Sequence, residues 1–192
     1  ELKERSARYA AALKGLWDEK AGIFLNRRTD TGAPNPRISP TNFYPLLAGV
    51  ATPQQAARMM KEHYFNAKEF GGEWVLPSAP RNDPAYPEQD YWRGRIWGPL
   101  HFLVYLGLRN YALPEARQHL ASNGNALLLN TFRKTGMVHE NYNAVTGNGI
   151  DAGDPLNRSD SFYHWGGLLG LPALYEAGVM GPSKATLQKN RK

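Results

Sequence analysis

Apolar positions recur at helical spacing at the start of the chain, where Leu2, Tyr9, Leu13 and Leu16 share one face beside Ala10, Ala11 and Ala12. This predicts a helix over 2–16. From 17 to 41 the pattern dissolves into Gly, Pro, Asn, Asp and Thr, which reads as loop with a short strand at Ile23-Phe24-Leu25. A second helix begins in Tyr44–Val50, and Thr52 with Pro53 forms an N-cap and first-turn pair for a helix over 53–64. Residues 65–92 are irregular and carry Pro77, Pro80, Pro84 and Pro87. They also carry Trp74, Tyr86, Tyr91 and Trp92, a composition poor for disorder, so this stretch reads as an ordered functional loop. Helices follow over 94–110 and 113–134, then a loop over 135–161. The last helix is expected over 164–178, ending at Gly178, with 181–192 as a frayed basic tail. The long loops share no register, so no solenoid repeat is present. The pattern is all-α, with loops at the helix ends holding the polar and aromatic residues.

Composition narrows the function classes. Of the 192 residues, 5 are Trp, 10 Tyr and 7 Phe, and several sit beside Gly, Pro and charged residues, away from plain apolar runs. Such clusters suit flat, partly polar ligands such as sugars, although most aromatics build cores. The net charge is +6, but much of it lies at the two ends, and the chain has neither a continuous basic face nor a nucleic-acid-binding motif. Nucleic acid is not expected as a partner. No run of 18 apolar residues occurs, so no membrane partner is expected either. With no Cys there is no disulfide or thiolate metal site, which favours a reducing compartment such as the cytoplasm, although many exported bacterial proteins also lack Cys. The first residue is Glu1, so a leader could precede it.

Four segments can carry chemistry. Glu88–Pro99 mixes Tyr91, Trp92 and Trp97 with Asp90, Arg93 and Arg95. Aromatic faces pack on the C–H face of a pyranose while Asp, Gln and Arg bond its hydroxyls. The same residues also suit an aromatic helix start with a surface Arg–Asp pair, and residue types alone leave both readings open. Val138–Gly147 places Glu140 in a loop next to His139, Asn141 and Tyr142, where a carboxylate can face a pocket or simply water. Phe162–Gly167 holds His164 and Trp165, either closing a pocket or packing a helix start. Asn35–Pro45 suits a rigid turn. Asp151 and Asp154 with Asn148 and Asn157 do not follow the order of a calcium loop. The five His residues lack paired metal spacing, so neither metal nor cofactor is expected.

Taken in order, Ile38–Leu46, Gly72–Ser78, Asp90-Tyr91-Trp92-Arg93-Gly94-Arg95-Ile96-Trp97-Gly98-Pro99, His139-Glu140-Asn141-Tyr142 with Thr146-Gly147, and His164-Trp165-Gly166 resemble glycoside hydrolase family 63 over roughly residues 5–178. The nearest branch is that of the mannosylglycerate and glucosylglycerate hydrolases, with trehalases more distant. The resemblance implies an (α/α)6 barrel, residues 1–180 being its C-terminal part, and hydrolysis of an α-glycosidic bond with inversion. It implies Glu140 as the general base and Tyr91, Trp92, Trp97 and Trp165 as sugar-site aromatics, with Asp90, Arg93, Arg95 and His164 beside them. Arg93 or Arg95 is placed to meet a glycerate carboxylate by a bidentate contact. The family's general acid is an Asp expected before Glu1, and about five or six helices are present where the barrel needs twelve. The remaining half of the barrel is therefore expected as a partner, in the same chain or another, alongside the saccharide substrate. The competing readings are a non-catalytic carbohydrate-binding or regulatory half-barrel and a helical interaction module with no sugar role.

Overall fold

A computed structural model describes residues 1–153, 156, 158–161 and 164–180. The described part is mainly helical: α1 (Leu2–Lys14), α2 (Tyr44–Leu47), α3 (Pro53–Met59), α4 (Gly98–Leu108), α5 (Pro114–Thr135) and α6 (Leu171–Glu176). Two two-residue antiparallel ladders accompany them, β1 (Trp17–Asp18) with β2 (Ile23–Phe24), and β3 (Ile96–Trp97) with β4 (Asn141–Tyr142). No closed barrel forms among the described residues.

Helix α3 starts as its sequence dictates. The Thr52 hydroxyl accepts a hydrogen bond from the Gln55 amide at 3.1 Å, and the Gln55 side chain accepts one from the Thr52 amide at 2.8 Å. This reciprocal cap satisfies two donors that a helix start otherwise leaves unpaired. Thr52→Ala should lower the unfolding free energy by about 1 kcal/mol in urea titrations, and an unchanged midpoint would count against the cap. The helix then widens into a π turn over Met60–Tyr64.

The main core gathers Ile23, Phe43, Leu46, Met59, Phe70 and Tyr105, with residues of α3, α4 and α5 around them. A smaller cluster of Ile96, Leu127, Tyr142, Ala144 and Leu169 lies beneath the second ladder. Helix α4 packs on α2, α5 and the 3-10 turn His164–Leu169, while α5 packs on α6.

Four expectations need correction. Helix α1 ends at Lys14, where a helix to Leu16 was expected, and none of its residues is buried. The helix beginning at Tyr44 stops at Leu47, where Gly49 takes a positive φ of 66°. The helix expected from residue 94 starts at Gly98, because Ile96 and Trp97 are drawn into the ladder with Asn141 and Tyr142. The helix expected over 164–178 breaks into the 3-10 turn and α6, with Pro172 in the first turn of α6. The 65–92 stretch is held in place by Arg81, which donates to the carbonyls of Gly71 and Trp74 and to the Tyr86 hydroxyl. The tail 181–192, with Asp154, Asn157, Phe162 and Tyr163, lies outside the described residues.

Candidate active site

The aromatic segment is built on a tight turn. The Arg93 amide donates to the Asp90 carbonyl at 2.7 Å and the Asp90 amide to the Arg93 carbonyl at 3.3 Å, so Tyr91 and Trp92 form the tip. Tyr91 holds φ 43° and Gln89 φ 45°, a left-handed conformation that costs a side-chain-bearing residue about 1 kcal/mol or more and persists only when neighbours enforce it. Here the enforcing contacts are visible. The buried Gln89 amide donates to the Tyr86 carbonyl at 2.8 Å and to the Gly94 carbonyl at 3.3 Å, and its oxygen accepts the Ala144 amide at 2.7 Å. Glu88 and Arg93 close the outer side of the turn as a bidentate pair.

The second ladder joins this segment to the Glu140 segment. Ile96 opposes Tyr142 and Trp97 opposes Asn141, so motifs more than 40 residues apart in sequence become neighbouring strands. Glu140 precedes β4, and its amide donates to the Asp160 carbonyl at 2.9 Å. Its side chain is buried, and Oε1 accepts a hydrogen bond from the Tyr91 hydroxyl at 3.1 Å. Among the described residues, Oε2 carries no protein hydrogen bond. Asn141, fully buried, receives the Ser159 hydroxyl on its carbonyl at 2.8 Å and donates its side-chain amide to the Arg158 carbonyl at 3.1 Å.

The aromatic rings form a stepped wall. Trp92 stacks on Trp97 with centroids 3.7 Å apart and planes 12° from parallel, and Tyr91 meets Trp97 edge-on at 4.8 Å. The Trp97 indole donates to the Tyr91 carbonyl at 3.0 Å. Trp97 itself is fully buried, whereas Tyr91 and Trp92 are 44% and 47% exposed, so Trp97 backs the platform and the other two can touch a ligand. Trp165 stands 6.0 Å from Trp97, close because a Cβ on Gly98 would lie 2.1 Å from the Trp165 carbonyl oxygen. His164 is exposed at the start of the same turn.

The two arginines part company. Arg93 faces outward, paired with Glu88. Arg95 is 1% exposed, and its guanidinium reaches the Asn141 side chain and the carbonyls of Gln89 and Gly149. It sits just before β3, and these partners hold its guanidinium away from solvent. Of the two arginines considered for a glycerate carboxylate, Arg93 is the one exposed to solvent. Asp90 is half-buried at the base of the turn.

The sequence offered Asp151 only as a calcium candidate and His139 only as a neighbour of Glu140. Asp151 accepts the Thr146 hydroxyl at 2.6 Å and the side-chain amides of Asn143 and Asn148 at 2.7 and 3.2 Å, which closes the loop after β4. Burial pushes its pKa up, but these three hydrogen bonds outweigh it and hold the carboxyl below its usual range. Three protein donors thus meet Asp151 where a cation ligand was considered. His139 is 3% exposed, with neither ring nitrogen hydrogen-bonded among the described residues, and burial followed by the nearby Arg95 charge lowers its pKa. Among the described residues no three His, Cys, Asp or Glu side chains gather as a metal site would require. No helix among them is long and apolar enough to cross a membrane.

Comparison with known proteins fits this arrangement. The chain is 28% identical over 155 residues to mannosylglycerate hydrolase MGH1 of Selaginella moellendorffii, covering 80% of this chain and 30% of that protein. It is 28% identical over 151 residues to the mannosylglycerate hydrolase of Thermus thermophilus, covering 78% and 34% respectively. The crystal structure of a family 63 mannosylglycerate hydrolase, also from Thermus thermophilus, in complex with Tris and D-glycerate superposes with a TM-score of 0.70 at 26% identity, over 86% of this chain and 37% of that one. The family 63 structures have an (α/α)6-barrel fold, of which the described helices are a part. The chain spans about a third of the length of these relatives. The model of the family "mannosylglycerate hydrolase MGH1-like glycoside hydrolase domain" matches residues 1–165, and this chain belongs to that glycoside hydrolase family.

Proposed function

We propose that this chain forms, over residues 1–180, the C-terminal part of an (α/α)6 barrel that hydrolyses a small α-glucoside or α-mannoside, such as a glycosylglycerate, with inversion. One observation carries the reading: the ladder of β3 and β4 sets the Glu140 carboxylate against the Tyr91 hydroxyl at 3.1 Å, beside the exposed rings of Tyr91 and Trp92. Glu140 is the general base. Tyr91 fixes one carboxylate oxygen, and the other activates a water molecule against the anomeric carbon. Tyr91 and Trp92 pack on the sugar, with Trp97 and Trp165 bracing them and His164 at the rim. Inversion requires a second carboxyl group about 6.5–9.5 Å away to protonate the leaving oxygen. That acid, with the rest of the barrel, comes from outside these 192 residues, in keeping with the third of the relatives' length that the chain covers. The D-glycerate bound by the Thermus structure supports a glycosylglycerate as substrate. Arg93 is the cation of this segment that lies near solvent. The cytoplasm is the proposed location.

The test is NMR of the anomer first released by the complete enzyme, together with tryptophan fluorescence during saccharide titration. Release of the β-anomer from an α-glycoside supports inversion, and release of the α-anomer overturns it. A fluorescence response with no turnover in the complete barrel would instead favour a carbohydrate-binding half-barrel.

A further inference from the structure

We infer that Arg95 is the positioning residue of this site, a buried guanidinium that fixes the general base and the aromatic tip relative to each other. This rests on the reading of Glu140 as base. Arg95 immediately precedes β3, and its three nitrogen arms diverge to three different segments. Nε donates to the Asn141 side chain, next in sequence to Glu140. Nη1 donates to the Gln89 carbonyl at 3.4 Å, at the foot of the Tyr91–Trp92 turn. Nη2 donates to the Gly149 carbonyl, at the end of the loop that Asp151 closes.

The arrangement is more than packing. Gln89 holds a left-handed backbone, and its carbonyl is also reached by Arg158 at 3.4 Å, so two cations hold one strained carbonyl. The Tyr91 hydroxyl reaches Glu140 from this turn. Any rotation at Gln89 therefore moves the donor that orients the base. A planar guanidinium offers donors in a fixed fork, whereas an ammonium or an apolar side chain cannot span the same three acceptors. The fit on the far side is close: a Cβ on Gly149 would lie 2.1 Å from the His139 ring, so the Gly149 carbonyl has little room to move away from Arg95.

The inference separates Arg95 from sugar binding. Its 1% exposure keeps it off the substrate, so its loss should act mainly on kcat, with only a small change in KM through the aromatic tip. Misplacing a catalytic group by about 1 Å costs roughly 10²-fold in rate.

The experiment uses the complete enzyme carrying Arg95→Lys, Arg95→Met or Arg95→Ala. We expect kcat to fall by roughly 30–100-fold with KM changed by less than about 3-fold. Guanidinium ion should partly restore kcat in Arg95→Ala. Amide hydrogen exchange should rise in peptides covering 86–97 and 138–151 and stay unchanged in α5. Wild-type kcat in Arg95→Met, or a rise in KM equal to the fall in kcat/KM, overturns the inference. So does hydrogen exchange that rises uniformly across the chain, which marks general destabilisation. If Glu140→Gln retains activity, the reading of Glu140 as base fails. The exchange pattern of the Arg95 variants still decides whether this residue holds the two segments together.

Discussion

Glu140→Gln in the complete enzyme is expected to lower kcat roughly 10²–10⁴-fold while saccharide binding, read from tryptophan fluorescence, stays within a few-fold of wild type. The substitution changes one oxygen for an NH2 group and preserves volume, so the buried side chain keeps its place under the aromatic tip. The amide cannot take a proton from water, which is what the general base must do. If the amide oxygen takes the Oε1 position, it still accepts the Tyr91 hydroxyl, and the tip keeps its orientation. Binding should therefore outlast catalysis. Tyr91→Phe separates the two parts of this argument, since it removes the positioning bond and leaves the carboxylate. Its kcat should lie between those of wild type and Glu140→Gln. A Glu140→Gln enzyme that turns over near the wild-type rate would remove Glu140 from the mechanism.

Between pH 7 and pH 5 the protein should lose about 2 kcal/mol of stability through His101 alone. This imidazole is fully enclosed between α4 and α5, with no partner for either ring nitrogen among the described residues. Burial, with a smaller contribution from the nearby His119, holds its pKa down to about 3. The folded state thus binds the proton less readily than the unfolded chain, whose histidine titrates near 6.5. Stability is complete above about pH 6.5 and declines by roughly 1.4 kcal/mol per pH unit below it, until the folded group itself titrates. His119 and His139 are also lowered, mainly by burial, and act in the same direction. His63 opposes them. Burial works to lower its pKa, but Glu69 and the Ala21 carbonyl outweigh that and raise it, so its contribution is present at low pH and is lost as pH rises through the raised value. The lowered carboxyls, such as Asp83 and Asp151, titrate below this window. Chemical denaturation of wild type and His101→Leu from pH 7 to pH 5 isolates the effect. The variant should show a visibly shallower slope, and equal slopes would refute the assignment to His101.

Much of this was legible in the chain because the relevant signals are local. The Thr52-Pro53 pair announces α3, Ile23-Phe24 forms the expected strand, and the 113–134 periodicity becomes α5 with a shift of one residue at each end. The rings of Tyr91, Trp92 and Trp97 do come together, and Tyr91 bonds Glu140. What the sequence withheld is long-range or contrary to type. A ladder of two residues per strand leaves no alternation to detect, so Ile96 and Trp97 looked like the start of α4. Arginine is seldom buried, so the sequence did not reveal that the Arg95 guanidinium reaches Asn141, Gln89 and Gly149. The apolar stripe of α1 marks a face without naming what covers it, and Leu2 and Tyr9 on it are exposed.

The short ladder sets rules for how this chain can vary in length. Side chains along a strand alternate between faces, so a one-residue slip in the pairing of Ile96–Trp97 with Asn141–Tyr142 would turn the paired side chains to the opposite side. The intervening stretch, which includes α4 and α5, is not bound in this way. Its ends meet at the ladder whatever path it takes, so related sequences should tolerate gaps at the α4–α5 turn near residues 109–113 and none across the paired strands. In an alignment of relatives, two blocks of fixed length separated by a spacer of free length would be the footprint of that weld.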